Sequence, residues 1–222
     1  MNQLSSIRSG RRARRLDVGR PFLLFLVLVV VSTSALAREP YLGHDVAPRT
    51  ETGLVNVLVE IPAGTNAKWE VDKASGQLEW EMRDGKPRVV DYLAYPGNYG
   101  MVPRTLLPKA LGGDGDPLDV LVLGPAVERG AVVAVRLIGV LELLDGGERD
   151  DKLIAVRPGS TLGDIESLEE LDRRYAGASE IVKLWFSNYK GKGKMEAQGF
   201  GDPKRAQEIL EAAITAYPGE RK

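Results

Sequence analysis

Cysteine is absent from the 222 residues. Its absence excludes disulfides, a thiol nucleophile and zinc–thiolate sites together. Histidine occurs once, as His44, in a stretch read as the flexible start of the mature chain. A Ser-His-Asp triad is therefore not expected, and a poly-histidine metal site is excluded. Long apolar runs are lacking as well: Phe22–Val31 is ten residues, against the ~20 that a helical membrane span needs. A basic excess is missing too. Six of the 30 basic residues and one of the 31 acids fall in residues 1–37, so the remainder carries about six more acids than bases. An acidic chain argues against nucleic acid, whose binders present basic surfaces.

Six arginines in residues 1–20 precede "PFLLFLVLVVV", followed by the small-x-small site Ala35-Leu36-Ala37. A basic start, a short apolar stretch and such a site predict a secretory signal peptide over residues 1–37. "RRARRL" resembles a twin-arginine signal weakly, and a retained membrane anchor is the competing reading. Cleavage after Ala37 leaves 185 residues, enough for one domain with a real core. The expected organisation is a signal at 1–37, a flexible lead-in at 38–52 and one domain over 53–222, periplasmic or extracellular.

No repeat or low-complexity tract interrupts the chain after residue 50. "GLVNVLVEIP" (53–62) alternates as a strand does, and "LDVLVLG" (118–124), "AVVAVRLIGVLELLD" (131–145) and "DKLIAVR" (151–157) are Val/Leu-rich, as buried strands are. Turn signals at Ala74-Ser75-Gly76 and Asp84-Gly85 divide residues 67–93 into hairpins. No βαβ rhythm appears, so the expected fold class is α+β, predominantly β: a closed five-stranded, OB-like antiparallel β-barrel with two or three flanking helices. Residues 167–190 have helical spacing, with Leu168, Leu171, Tyr175, Ile181, Leu184 and Trp185 on the apolar side and Gly177 dividing two pieces. Asp202 and Pro203 start a last helix, with Ile209, Leu210, Ala213, Ile214 and Tyr217 as its stripe.

The chemistry concentrates in "DGDPLDVLVLG" (114–124). A turn accounts for Asp114 to Pro117. It does not account for Asp119, which enters an apolar strand directly and needs a cation. Three carboxylates brought to one spot suit a hard divalent ion. An EF-hand is rejected, because the twelfth position from Asp114 is Pro125 and the flanks read as strands. More acids crowd "LLDGGERDDKL" (143–153), where a solvated turn is the plain alternative. Lysines, arginines and tyrosines (Lys68, Arg83, Arg88, Tyr95, Tyr99, Lys152, Tyr189, Lys190, Lys192 and Lys194) add groups that hold anions. Acids for metals with bases and phenols for anions fit phosphoryl chemistry.

The ordered blocks "EIPAG" (60–64), "KWEVDK" (68–73), "YPGNYG" (95–100), "DGDPLD" (114–119), "DGGERDDK" (145–152) and "NYKGKGK" (188–194) resemble those of the soluble family I inorganic pyrophosphatases. The resemblance spans roughly residues 54–217. It implies Asp114, Asp116, Asp119, Asp145 and Asp150 as metal ligands, with Glu60 near the metals and Asp116 deprotonating the attacking water. It implies Lys68, Arg88, Tyr95, Lys152, Tyr189 and Lys190 as substrate ligands, Tyr99 and Lys190 as further catalytic groups, and Glu70 in the same pocket. Arg83 competes with Arg88, because the hairpin around Gly85 departs from the compact bacterial pattern. The expected activity is Mg²⁺-dependent hydrolysis of pyrophosphate by direct transfer to water, with Mn²⁺ or Zn²⁺ as substitutes, in a homo-oligomer (hexamer or dimer). The alternatives are a weakened exported homologue that binds Ca²⁺ or polyphosphate, and a hydrolase of organic diphosphates. Most family members act in the cytoplasm, so the export segment is a departure.

Overall fold

In a computed structural model, the described residues are 42–73, 75–107, 109 and 112–218. The expected signal peptide lies outside them. Strands β1 (Val55–Ile61), β6 (Asn98–Met101), β7 (Asp119–Leu123), β8 (Val132–Asp145) and β10 (Lys152–Val156) form the central sheet. Pairings run β1–β6–β7–β10–β8, and β8 returns to β1 through Val55↔Val135 to Leu58↔Val132. Five strands thus pair in a ring. One correction follows: the ring is not wholly antiparallel, because β7 and β10 are parallel. The hairpin after β8 turns β10 back antiparallel to its predecessor and inserts it beside β7. A strand slotted between two oppositely directed neighbours must run parallel to one of them.

The length of β8 lets one strand serve several partners. Its first residues meet β1, its middle meets β10, and its last meet β11 (Met195–Gly201) and the short β9 (Glu148–Arg149). Two small hairpins, β2 (Trp69–Val71) with β3 (Leu78–Trp80) and β4 (Met82–Arg83) with β5 (Lys86–Pro87), stand apart from this sheet. The second turns at Asp84-Gly85, both at positive φ (51° and 73°). Asp-Gly tolerates that double left-handed turn better than most pairs do.

Both faces of the central sheet are covered, which is why its strands read as apolar runs rather than clean alternation. Side chains two apart share a face. Leu121, Ile154, Val156, Tyr99 and Ile61 pack with Leu168 and Leu171 of α2 (Leu168–Arg174) and with Val182, Trp185 and Phe186 of α3 (Ala178–Asn188). Val120, Val122, Leu153 and Ala155 face the other way, toward Ala206, Ile209, Leu210 and Ala213 of α4 (Pro203–Ala216). Each such fully buried aliphatic side chain contributes about 1.5–3 kcal/mol. Asp119 and Lys152 begin their strands in register with each other, so they share the face of Leu121 and Ile154 at its end.

Asp202 caps α4 by accepting from the Arg205 N–H at 2.7 Å, with Pro203 next, as the sequence predicts. The α3 stripe differs from expectation. Ile181 and Leu184 are 61% and 52% exposed, and Tyr175 is exposed too, while Val182 and Phe186 are buried with Trp185. Positions 181, 184, 185 and 182, 185, 186 fit the helical period equally well, and only the packed sheet selects between them. Gly100 has a steric reason: a Cβ there would lie 1.9 Å from the Leu58 carbonyl oxygen of the paired strand.

Residues 42–52, read from the sequence as flexible, make their own bonds to the domain. The Arg49 guanidinium pairs with Glu211 of α4 and donates to Gln207, and the Asn56 amide donates to the Ala47 carbonyl. His44, in the short helix α1 (Leu42–Asp45), packs against Tyr217 at 5.4 Å between ring centroids.

Candidate active site

The Asp114–Asp119 segment is a braced turn. The Asp116 N–H donates to the Asp114 carboxylate at 2.8 Å, and the Leu107 N–H donates to the Asp116 carbonyl. The Thr105 hydroxyl accepts from the Leu118 N–H and donates to the Val102 carbonyl. This bonding delivers Asp119 to the head of β7, with Asp114 and Asp116 just outside it. Burial pushes the Asp114 carboxyl above its ordinary pKa.

Lysines stand among these acids. Lys152 is 1% exposed and its ammonium pairs with both Asp119 and Asp150. Burial opposes its charge, yet the two carboxylates outweigh burial and hold its pKa above the ordinary value. Lys73, at the turn between β2 and β3, pairs with Asp116. Lys190, just past α3, pairs with Asp145 at the end of β8. Four of the five expected metal-binding aspartates therefore face an ammonium, and among the described residues no three acids converge on a single ion position. The donor set itself is carboxylate oxygen throughout, which matches hard divalent cations rather than soft ones.

Glu60, the penultimate residue of β1, is buried and accepts from the Val71 N–H at 2.9 Å. Burial pushes its pKa up to about 7, against a lowering influence of Lys68. The folded protein retains the Glu60 proton between pH 4.5 and about 7, where the unfolded chain loses it, so stability falls as pH rises through that window. Glu60→Gln removes this term. In chelator, the variant is expected to gain roughly 3 kcal/mol relative to wild type between pH 5 and 8. Denaturant titration at both pH values measures it, and parallel pH profiles for the two proteins contradict it.

An aromatic and basic wall faces the acids. Tyr95 and Tyr99 are buried with ring centroids 5.2 Å apart, and Trp185 lies 4.4 Å from Tyr95 and 4.7 Å from Tyr189. Burial raises the pKa of both Tyr95 and Tyr99, so their phenols stay neutral and able to donate. The Lys68 and Lys152 ammonium groups sit 5.7 and 5.9 Å from the Tyr99 ring centroid. Lys68 also lies 3.4 Å from Glu70. Arg88 is held by Glu81 at 2.7 Å and lies within electrostatic reach of Tyr189 and Tyr95. Arg83 is exposed in β4. A separate cavity of about 610 Å³, lined by Arg136, Ser160, Thr161 and Arg174, contains none of these groups.

Sequence reasoning did not single out Lys73 or Glu81. Lys73 sits inside the quoted block "KWEVDK", but its partner Asp116 is 43 positions away, and nothing local announces the pair. Glu81 and Arg88 are opposed across the Asp84-Gly85 hairpin, where the Arg88 N–H also donates to the Glu81 carbonyl. The hairpin register could have found that pair.

Comparison with known proteins gives the family of the chain. The family model described as inorganic pyrophosphatase matches residues 57–218. The inorganic pyrophosphatase of Xylella fastidiosa strain 9a5c is 37% identical over 168 residues, covering 73% of this chain and 89% of the relative. The solved inorganic pyrophosphatase of Helicobacter pylori is similar at a TM-score of 0.65 and 35% identity, covering 79% of this chain and 100% of that one. That of Thermus thermophilus gives 0.68 and 30%, covering 81% and 100%. The chain belongs to the family of soluble, family I inorganic pyrophosphatases.

Proposed function

We propose that this protein hydrolyses inorganic pyrophosphate to two phosphates in a Mg²⁺-dependent reaction, by direct transfer to water. Membership in the family implies a divalent-metal cofactor, and the all-oxygen donor set suits Mg²⁺, with Mn²⁺ or Zn²⁺ as substitutes. Asp114, Asp116, Asp119, Asp145 and Asp150, with Glu60 beside them, would hold the ions. Bound there, they would neutralise pyrophosphate and make a water acidic enough to react near neutral pH. The observation that supports the reading is the electrostatic coupling of these carboxylates with Lys68, Lys152, Lys190, Arg88 and three tyrosines.

Asp116 is the proton acceptor. It is partly exposed, and its partner Lys73 is exposed too, which leaves it reachable by water. Lys68, Lys152, Lys190 and Arg88 bind phosphate oxygens and stabilise charge on the departing phosphate. Tyr95 and Tyr99 donate as neutral phenols, Tyr189 adds its hydroxyl, and Glu70 keeps Lys68 oriented. The closeness of Arg88 to Tyr95 and Tyr189 supports it, rather than Arg83, as the substrate arginine.

The same reading takes residues 53–222 as the catalytic domain of a homo-oligomer (hexamer or dimer). It takes residues 1–37, which lie outside the described residues, as a signal removed on export. The purified protein should release phosphate from pyrophosphate with Mg²⁺ and little from a nucleoside diphosphate. No release with either Mg²⁺ or Mn²⁺ removes the proposal. Release from the nucleoside diphosphate alone moves it to organic substrates.

A further inference from the structure

Asp150 and Asp151 are neighbours in sequence but have different partners. Asp150 shares a side with Lys152, two residues on, and joins the site. Asp151 points the other way. Its side chain is 2% exposed, it accepts from the Leu143 N–H at 3.1 Å, and it pairs with the guanidinium of Arg149. Arg149 in turn ties two segments together. Within β9 it pairs with Leu144 of β8, and its own N–H donates to the Gly112 carbonyl at 2.7 Å. A parallel bridge joins Arg149 to Gly113, immediately before Asp114. The Arg149 side-chain carbons lie 3.7 Å from where a Cβ on Gly112 would stand. Arg205 is another cation within electrostatic reach of Asp151, and it is itself paired with Glu142.

The two groups of acids thus belong to separate loops. Asp114, Asp116 and Asp119 lie on one; Asp145 and Asp150 lie on the β8–β9 hairpin. Beside the Lys152 bridge between Asp119 and Asp150, Arg149 is where the backbones of those loops bond to each other, and Asp151 pairs with the Arg149 side chain. We propose that Arg149 and Asp151 form a buried brace that sets the spacing between the two aspartate groups, and so act as positioning residues for the divalent-metal site. The inference rests on the metal-dependent reading above. Ion binding that draws ligands from both loops requires them at a fixed separation, and partners behind the ligands commonly govern affinity.

The test is Mn²⁺ binding to the purified protein, followed by calorimetry alongside circular dichroism. Arg149→Met is expected to weaken Mn²⁺ binding roughly 10- to 100-fold. Asp151→Asn retains the shape and the acceptor for the Leu143 N–H but loses the charge that holds Arg149, and is expected to show the same direction if Arg149→Met fails to fold. Arg149→Lys keeps a cation beside Asp151 and should restore most of the affinity. A variant that melts earlier but binds Mn²⁺ as tightly as wild type has lost only stability, and that result overturns the brace. Equal weakening in Arg149→Lys and Arg149→Met overturns it as well. If wild type itself binds no Mn²⁺, the metal reading falls and the brace falls with it, whereas binding by wild type with unchanged variants removes the brace alone.

Discussion

Asp116→Asn is expected to lower turnover of pyrophosphate at saturating Mg²⁺ by about 10²- to 10⁴-fold, the usual worth of a positioned proton acceptor. The amide keeps the size of the carboxylate and can still accept a hydrogen bond, but it cannot take a proton from water. Folding should be nearly unaffected. The backbone N–H of Asp116 bonds to Asp114, and its carbonyl accepts from Leu107; neither contact uses the side chain that changes. The lost pair with Lys73 is between partly exposed groups, and such pairs contribute about 0–1 kcal/mol. A phosphate-release assay with matched melting curves separates the two effects. Turnover within about threefold of wild type would assign the proton to another group, and Asp119, deeper and already paired with Lys152, is next in line.

The contrast between Asp116 and its neighbours shows what sequence could reveal. "DGDPLD" is legible because turn chemistry is local: Asp114 closes a two-residue bond to Asp116, and Pro117 ends the turn. A charged Asp119 opening an apolar strand is also local, and it signals a site before any fold is known. The cations that answer these acids are not local. Lys152 is 33 positions from Asp119, Lys190 is 45 from Asp145 and Lys73 is 43 from Asp116. Family resemblance supplied the first two as substrate ligands, but their pairing with the acids emerges only from the fold. The parallel β7–β10 ladder was hidden for a related reason. Strand pattern reports burial, not which neighbour a strand lies beside, and the insertion of β10 between β7 and β8 is a property of the whole topology. Arg149 and Asp151 carried no signal at all, because a run of four acids within seven residues reads as a solvated turn until one of them is found buried.

Lys152→Met should be the most destabilising of these substitutions. The methionine fills similar volume but brings no charge, so Asp119 and Asp150 are left facing each other in a poorly hydrated place with no ammonium between them. Removing one partner of a buried ionic cluster costs about 3–5 kcal/mol. For a domain of this size that lowers the melting temperature by roughly 10 °C. The pH dependence has a definite sign. Burial already raises the Asp150 carboxyl and Lys152 holds it down, so in the variant the folded state holds that proton more tightly and the deficit shrinks as pH falls toward the carboxylate range. Measured in chelator, the gap to wild type should therefore be wide at pH 8 and narrow near pH 5. Added Mg²⁺ should narrow it at pH 8, because an ion held by these carboxylates would supply the missing positive charge. Melting within about 2 °C of wild type at pH 8 in chelator, on the scale set by ~2–4 °C per kcal/mol, would mean that the two aspartates relax into solvent and that Lys152 is not the ion that holds them together.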